Sequence, residues 1–482
     1  MTLHIYDSKA KTLLPFEPRR AGHVGMYVCG PTVQSAPHIG HLRSALVYDQ
    51  MRNWFTVCGY EVTFVRNVTD IDDKILANAK AAQEAGGTEP WWGLAMRVER
   101  EFSAAYRAIG VSEPTCEPRA TGHISDMDAL ITRLWELGYA YETPDGSIYF
   151  DTSKWERYGE LTNQDLAAMA AAEEAAPGKR NPTDFALWKA ARDGEPEDAK
   201  WQISRGGRGR PGWHIECSAM STRFLGSAFD IHGGGRDLRF PHHENELAQS
   251  AAAGDSFAKY WVHNGLVNVG DQKMSKSLGN SLFASTLLAE ASALVVRYFL
   301  GGAHYRSTLN YRDKSLLEAQ AAIDRIAAAL NRAENELGTR VLAPQAPHEK
   351  LLELMPAEFV AAMNDDFAVP QALAVVHNVV RNLNTELDKG NHNFAAVAAD
   401  QLVAMLAVLH LDPRHPHWTG AASADSKAAA ALDILVTDLI EKRAAARAAK
   451  DWAASDEIRD RLATAGIALK DTAEGAVWSF IK

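Results

Sequence analysis

Val24-Gly-Met-Tyr-Val-Cys29 is a short apolar run closed by the turn pair Gly30-Pro31, and a helical pattern follows from about Gly40 to Cys58. A run of that length suits a buried strand, and the Gly-Pro pair ends it. The unit then recurs. Glu61-Val-Thr-Phe-Val-Arg-Asn-Val68 reads as a second strand, and another helix starts near Asp72. Parallel neighbours need a crossover of this size, so strand–helix–strand predicts an α/β fold built on a parallel sheet. Further strands are expected at 147–151, 228–232 and 260–267.

The chain has 482 residues, more than one ordinary domain of ~150 residues holds. Between about 126 and 210 the strand–helix rhythm loosens. Pro177-Gly178-Lys179-Arg180-Asn181-Pro182 and the glycine- and arginine-rich stretch from Arg205 to Gly212 read as flexible, turn-rich segments of an insertion. From about 315 Ala, Leu, Glu, Arg and Lys dominate at helical spacing. Asp412-Pro-Arg-His-Pro-His-Trp-Thr-Gly420 and the Ala/Ser-rich stretch after it read as a break before a small C-terminal unit.

Hydrophobic residues make up 46% and charged residues 23%, the balance of a globular protein rather than a disordered one. Four cysteines, Cys29, Cys58, Cys116 and Cys217, are too few for a disulfide scaffold in a chain this long. Metal ligation or packing is the better expectation for any of them. The net charge of −11 argues against a protein that coats nucleic acid non-specifically, though a local basic track is compatible with it. The N-terminus lacks the basic patch and apolar run of a signal peptide, and Asp400 and Gln401 interrupt the apolar stretch from Asn393 to Leu411. No membrane segment and a cytoplasmic location are expected.

Two polar constellations stand in the predicted α/β half. His38-Ile-Gly-His41 opens a helix directly after a strand and turn. Imidazoles there can donate to a triphosphate that backbone amides and the helix dipole already favour, and Gly40 leaves room for an adenine ring. The same four residues also suit two surface histidines at a helix start. Lys273-Met-Ser-Lys-Ser277 lies between Gly270 and Gly279. Lys273 and Lys276 suit a loop that closes over phosphates and stabilises charge on a leaving pyrophosphate, or simply a solvated basic loop.

A third set is scattered through the sequence. Cys29 ends the first strand; Cys217 lies in Gly212-Trp-His-Ile-Glu-Cys-Ser-Ala-Met220; His242 and Glu246, four apart on one helix face, follow Phe240-Pro241. Two thiolates, an imidazole and a carboxylate can form a tetrahedral zinc set. Buried apolar cysteines, with His243 or Glu244 as exposed polar residues of the helix start, fit the spacing equally.

The order of His38-Ile-Gly-His41 and Lys273-Met-Ser-Lys-Ser277 resembles the HIGH and KMSKS motifs of class I aminoacyl-tRNA synthetases. Five further stretches resemble the cysteinyl-tRNA synthetase family: Tyr27-Val-Cys-Gly30, Asn67 to Lys74, Arg210 to Met220, Phe229 to Gly235, and Phe240 to Ser250. The resemblance runs from about residue 4 to the C-terminus. It implies a Rossmann-type parallel-sheet catalytic domain over 1–270 with its insertion, a KMSKS and stem-contact region over 271–320, a helical bundle over 321–420 and an anticodon-binding unit over 421–482. It implies Cys29, Cys217, His242 and Glu246 as zinc ligands, and Gly30, Thr69, Trp213 and His232 about the bound cysteine. His38, Gly40, His41 and Lys276 would meet ATP, with Lys273 beside Lys276 and Mg2+ accompanying the nucleotide. ATP, L-cysteine and tRNA(Cys) are the implied partners of a monomeric enzyme. The arginines between Glu441 and Leu462 resemble the anticodon-binding end of the family. Zinc suits this substrate, because an apolar pocket separates near-isosteres only by ~10²-fold whereas zinc prefers a soft thiolate.

Gln34-Ser35 and Trp201-Gln-Ile-Ser-Arg-Gly206 depart from the family's commoner text without touching the zinc or phosphate residues. Two rivals share parts of the pattern. A ligase joining cysteine to an amino sugar would lack the C-terminal arginine-bearing segment, and a zinc-stabilised RNA-binding protein would not need the phosphate motifs.

Overall fold

The computed structural model describes residues 2–163, 178–270, 272–273, 282–338, 341–344, 348–449, 451–472 and 475–480. Its central sheet has four parallel strands in the order Phe257–Asn264, Ala228–Gly235, His23–Val28, Glu61–Arg66. Val24, Met26, Tyr27, Ile231 and Val262 are all fully buried. Both faces of the sheet are covered, which is why its strands read as near-continuous apolar runs rather than alternating ones. The chain leaves His23–Val28 toward Glu61–Arg66 but leaves Ala228–Gly235 toward Phe257–Asn264. Between those two central strands the winding reverses, and such a switch point opens a crevice at the strands' carboxyl ends.

The helix Ile39–Val57 is buried along most of its length, Leu42, Leu46, Trp54 and Phe55 among its sealed residues. Its buried charges are partnered through their terminal atoms. Arg43 donates to the carbonyls of Leu266, His304 and Ser307 at 2.9, 3.1 and 2.6 Å, and Asp49 accepts from Arg297 at 2.8 Å. The single strand expected over 260–267 is two. After Asn264 the Gly265 amide turns to the Tyr305 carbonyl, and Val267–Val269 pairs with Leu309–Tyr311 and with Gln272–Lys273.

The insertion is an antiparallel sheet of Ala140–Glu142, Ile148–Phe150, Phe185–Ala190 and Gly209–Pro211. Part of the glycine-rich stretch read as flexible is therefore an ordered strand. Gly212 follows it where a Cβ would fall 1.9 Å from the Ala186 carbonyl, so this glycine serves close backbone approach rather than looseness.

Helices Ser315–Leu337, Ala357–Asn364, Val369–Asp388 and His392–Leu409 form the expected helical region. By length and composition His392–Leu409 is able to cross a membrane, but 56% of it is buried within the fold, packed on Val369–Asp388. The chain divides into two units, Met1–Pro413 and Arg414–Lys482. The second has helices Pro416–Ala448 and Trp452–Thr464 and the hairpin Ile467–Thr472 with Gly475–Phe480, around a small core of Val436, Leu462 and Ile467. The stretch read as a break through Gly420 and the Ala/Ser-rich run is helical from Pro416 onward. Proline is tolerated in a first turn, and alanine is the strongest helix former.

Candidate active site

Cys29 follows the strand His23–Val28, Cys217 lies on the helix Trp213–Leu225, and His242 and Glu246 share one face of the helix His242–Ala252. Each of these elements ends or begins beside the switch point, so residues nearly 220 positions apart meet. Cys29 Sγ lies 3.6 Å from Cys217 Sγ and 3.3 Å from Glu246 Oε1, and His242 Nε2 lies 3.0 Å from the same Oε1. The four donor atoms all fall within 4.8 Å of one another, and all four residues are buried. Burial, with Cys217 and Glu246 adding to it, pushes the Cys29 thiol well above its ordinary value, and burial also raises Cys217. Burial, then His214 and His232, holds His242 well below the usual histidine range, so its imidazole is neutral and able to ligate. Two sulfurs, a neutral imidazole and a carboxylate fit the donor chemistry of a zinc site.

His232 joins this cluster by donating to Glu246 Oε2 at 2.8 Å. With Cys29, His243 and Glu246 it makes a second buried group of suitable donors. Trp213 stacks on His242, ring centroids 4.2 Å apart, and the Gly30 amide donates to Asn67 Oδ1 at 2.8 Å. Thr69 sits behind the set, where its hydroxyl donates to Glu216 at 2.7 Å one residue from Cys217.

A cavity of about 360 Å³ opens above the cluster. Cys29, Gly30, His38, Gly40, His41 and Trp213 all line it. His38 caps the helix Ile39–Val57: its Nδ1 accepts from the Gly40 amide at 3.2 Å, its own amide donates to His41 Nδ1 at 3.2 Å, and the two rings stack 3.6 Å apart. The pair is thus locked at a helix N-terminus facing the cavity. Lys273 belongs to the short strand Gln272–Lys273, whereas Lys276 and the remainder of the KMSKS run lie outside the described residues.

Several partners of the cluster carried no sequence signal. His214 Nδ1 lies 3.0 Å from His242 Nδ1, so it orients that imidazole from behind, and burial lowers its pKa to about 3. His243 and Glu244, open to an exposed reading, are both buried: His243 Nδ1 pairs with His263 Nε2 at 2.8 Å, and Glu244 accepts from Gly159 and Thr162. The helix is sealed from His242 to Ser250 despite so polar a sequence, which only the packing reveals.

Comparison with known proteins agrees with this geometry. The model of the tRNA synthetases class I (C) catalytic domain matches residues 15–321, the DALR domain residues 358–411, and the cysteinyl-tRNA ligase anticodon binding domain residues 429–478. A Mycobacterium tuberculosis methionyl-tRNA synthetase in complex with methionyl-adenylate shares the fold at a TM-score of 0.58 and 16% identity, covering 84% of this chain and 92% of that one. A leucyl enzyme from Agrobacterium radiobacter K84 gives 0.58 at 11% identity, covering 84% and 85%. Fold and site together define a class I aminoacyl-tRNA synthetase. Cysteine–tRNA ligases of Clavibacter sepedonicus and Leifsonia xyli subsp. xyli are 58% and 57% identical over 99% of this chain and of their own. The chain belongs to the cysteine–tRNA ligase family, whose enzymes activate cysteine with ATP and pass it to tRNA.

Proposed function

We propose that Cys29, Cys217, His242 and Glu246 hold a zinc ion that reads the substrate's sulfur, while His38, Gly40, His41, Lys273 and Lys276 handle ATP. The observation that carries this reading is that Cys29 lines the same cavity as His38, Gly40 and His41. Thiol recognition and phosphate handling thus share one chamber. When bound, the zinc supplies a preference for a soft sulfur donor and lowers the thiol pKa, which discriminates against the hydroxyl of serine.

The chain's own residues then position and neutralise. Gly30, Thr69, Trp213 and His232 shape the cysteine pocket, with Trp213 set over His242. Held there, the cysteine carboxylate attacks the ATP α-phosphorus, and the bond to pyrophosphate breaks. His38 and His41 steady the triphosphate at the helix N-terminus. Lys276, with Lys273, stabilises charge growing on pyrophosphate, and Mg2+ accompanies the nucleotide. The cysteinyl group then passes to a ribose hydroxyl at the tRNA 3′ end. Catalysis rests on placement and electrostatics rather than a covalent enzyme intermediate.

The division of labour follows the chain: catalysis over 1–270 with the insertion at 126–210, stem contact over 271–320, a helical bundle over 321–420 and anticodon binding over 421–482. A cytoplasmic monomer acting on tRNA(Cys) completes the reading. The test is charging of tRNA with cysteine against competing serine, before and after zinc chelation. Charging that survives metal removal with unchanged selectivity overturns the zinc assignment. Lys276→Ala should cut cysteine-dependent ATP–pyrophosphate exchange by about 10²-fold at saturating cysteine, and unchanged exchange would sink that residue's role.

A further inference from the structure

Arg43 lies two residues after His41 on the helix that His38 caps, and its side chain is fully buried. Its Nη1 donates to the Leu266 carbonyl at 2.9 Å, and its Nη2 donates to the His304 and Ser307 carbonyls at 3.1 and 2.6 Å. Burial lowers its pKa to about 10 with no carboxylate offsetting the shift, so it stays cationic at neutral pH. Arg297, equally buried, has Asp49 at 2.8 Å. An interior charge without a counter-charge is costly, and a methionine would fill a similar volume without that cost.

The carbonyls that Arg43 grips belong to two segments beside the cavity. Leu266 leads into the strand Val267–Val269, and His304 to Ser307 precede Leu309–Tyr311, which pairs with that strand in parallel. The segments lie against each other. The Gly265 amide donates to the Tyr305 carbonyl at 2.7 Å, the Leu309 amide donates to the Leu266 carbonyl at 2.9 Å, and a Cβ on Gly265 would fall 2.2 Å from the Ser307 carbonyl oxygen. Gly265, Leu266 and Val267 line the cavity together with His38, Gly40 and His41, whereas Arg43 does not. The strand Gln272–Lys273 is joined to the same unit by its pairing with Val267–Val269.

On the assignment of this cavity to ATP made above, we propose that Arg43 is a positioning residue for the nucleotide, holding the Gly265–Val267 wall at a fixed distance from Gly40 and His41. A planar fork suits this task because it bonds two chain segments at once, where an ammonium is a single point donor. Arg43 touches neither ATP nor cysteine. It sets the width of the slot that the adenosine enters, so nucleotide placement depends on it and cysteine binding does not.

The test is cysteine-dependent ATP–pyrophosphate exchange by the full chain, with ATP and cysteine each varied at saturation of the other. Arg43→Lys, which keeps the charge but not the fork, is expected to raise KM for ATP about 10-fold and leave KM for cysteine within about twofold. A purely structural arginine would lower the thermal melt and the yield of active enzyme without moving either KM. An unchanged KM for ATP, or an equal rise in both, therefore overturns the inference. His41→Asn measured alongside tests the ATP assignment itself. Wild-type kcat and KM in that variant overturn the assignment, whereas a defect there beside an unmoved Arg43→Lys overturns only the role of Arg43. Should Arg43→Lys fail to fold, the 304–307 turn can be slackened from its other side, where Asp366 accepts from Tyr305 and Arg306 at 2.7 and 2.6 Å. Asp366→Asn is then expected to raise KM for ATP about threefold with cysteine unmoved, and an unmoved KM for ATP overturns the inference.

Discussion

Gly30 is the tightest single position in the site. A Cβ there would fall 1.6 Å from the Asn67 carbonyl oxygen, a backbone atom that cannot step aside alone. Gly30→Ala must therefore part the end of the strand His23–Val28 from the segment carrying Asn67 and Thr69. Overpacking of this kind costs about 1–3 kcal/mol, and a shift of about 1 Å at Cys29 should lower cysteine activation by ~10²-fold. Urea unfolding and exchange kinetics check both, and a variant with wild-type values in each would show the contact to be slack. The protonation of the metal set makes a second expectation. Both thiols are pushed up, whereas His242 is already neutral, so loading releases protons from sulfur and not from the imidazole. Zinc affinity should rise with pH between about 6 and 8, log affinity climbing with a slope of about 2. A chelator titration across that range measures it, and a slope near three would mean that His242 is charged in the free protein.

Between elements, the insertion is clamped to the catalytic sheet through Asp73 at the start of the helix Asp73–Glu84. Arg210 Nε and Lys189 Nζ, both on insertion strands, reach its carboxylate at 2.7 and 2.8 Å, while Arg210 also meets Glu195 at 2.7 Å. Arg210 stands three residues before Trp213. Burial opposes ionisation of Asp73, but Lys189 and Arg210 outweigh it and hold the pKa at about 2, below the ordinary 3.8. A depressed carboxylate contributes stability that is fully present above about pH 4 and is lost as pH falls toward 2. Asp73→Asn should thus cost on the order of 1–2 kcal/mol at neutral pH, discounted for the carboxylate's partial exposure, with the deficit narrowing below pH 4. Denaturant melts of both proteins at pH 7, 5 and 3.5 decide this, and a deficit independent of pH would rule out the ionic clamp. These same elements mark what sequence could carry. The parallel strands and the helix opened by His38 announce themselves through long apolar runs and local turn chemistry. Within the insertion Ile148–Phe150 falls in the strand expected over 147–151, whereas Ala140–Glu142 and Gly209–Pro211 are too short for any period, and the pairing of Ile148–Phe150 to Phe185–Ala190 is non-local. Cys29, Cys217, His242 and Glu246 stood out as a set only through the family resemblance, and the contact of His214 with His242 depends on how two helices pack. Alanine-rich 416–448 misled in the other direction, because residues that mark a linker by composition also favour helix.

Across the whole chain, the stretch matching the class I catalytic domain and the stretch matching the anticodon binding domain have cores of their own. The buried network from Tyr27 to Leu309 belongs to Met1–Pro413, whereas Val436, Leu462 and Ile467 form a core of their own within Arg414–Lys482. The charge of the second unit is also more modest than its arginine count suggests. Arg459 meets Asp456 at 3.2 Å and Asp460 at 3.3 Å, and Lys442 meets Asp438 at 2.7 Å, so cationic groups on these helices are partly neutralised. Recognition of tRNA by this unit should then lean less on phosphate neutralisation than on contacts with unpaired bases, each worth ~1–3 kcal/mol when stacked. A chain ending at Pro413 keeps every described residue of the metal cluster and the cavity. It should unfold cooperatively and retain cysteine-dependent ATP–pyrophosphate exchange within about threefold, since each 1.4 kcal/mol is a factor of ten and every described residue lining the cavity is kept. Loss of even two stacked bases corresponds to ~2–6 kcal/mol, so kcat/KM for charging tRNA should fall on the order of 10²-fold or more. Exchange and charging measured on one preparation separate the two functions. If both fall together while the fragment remains folded, the C-terminal unit acts on activation as well, and the division of roles at Pro413 is wrong.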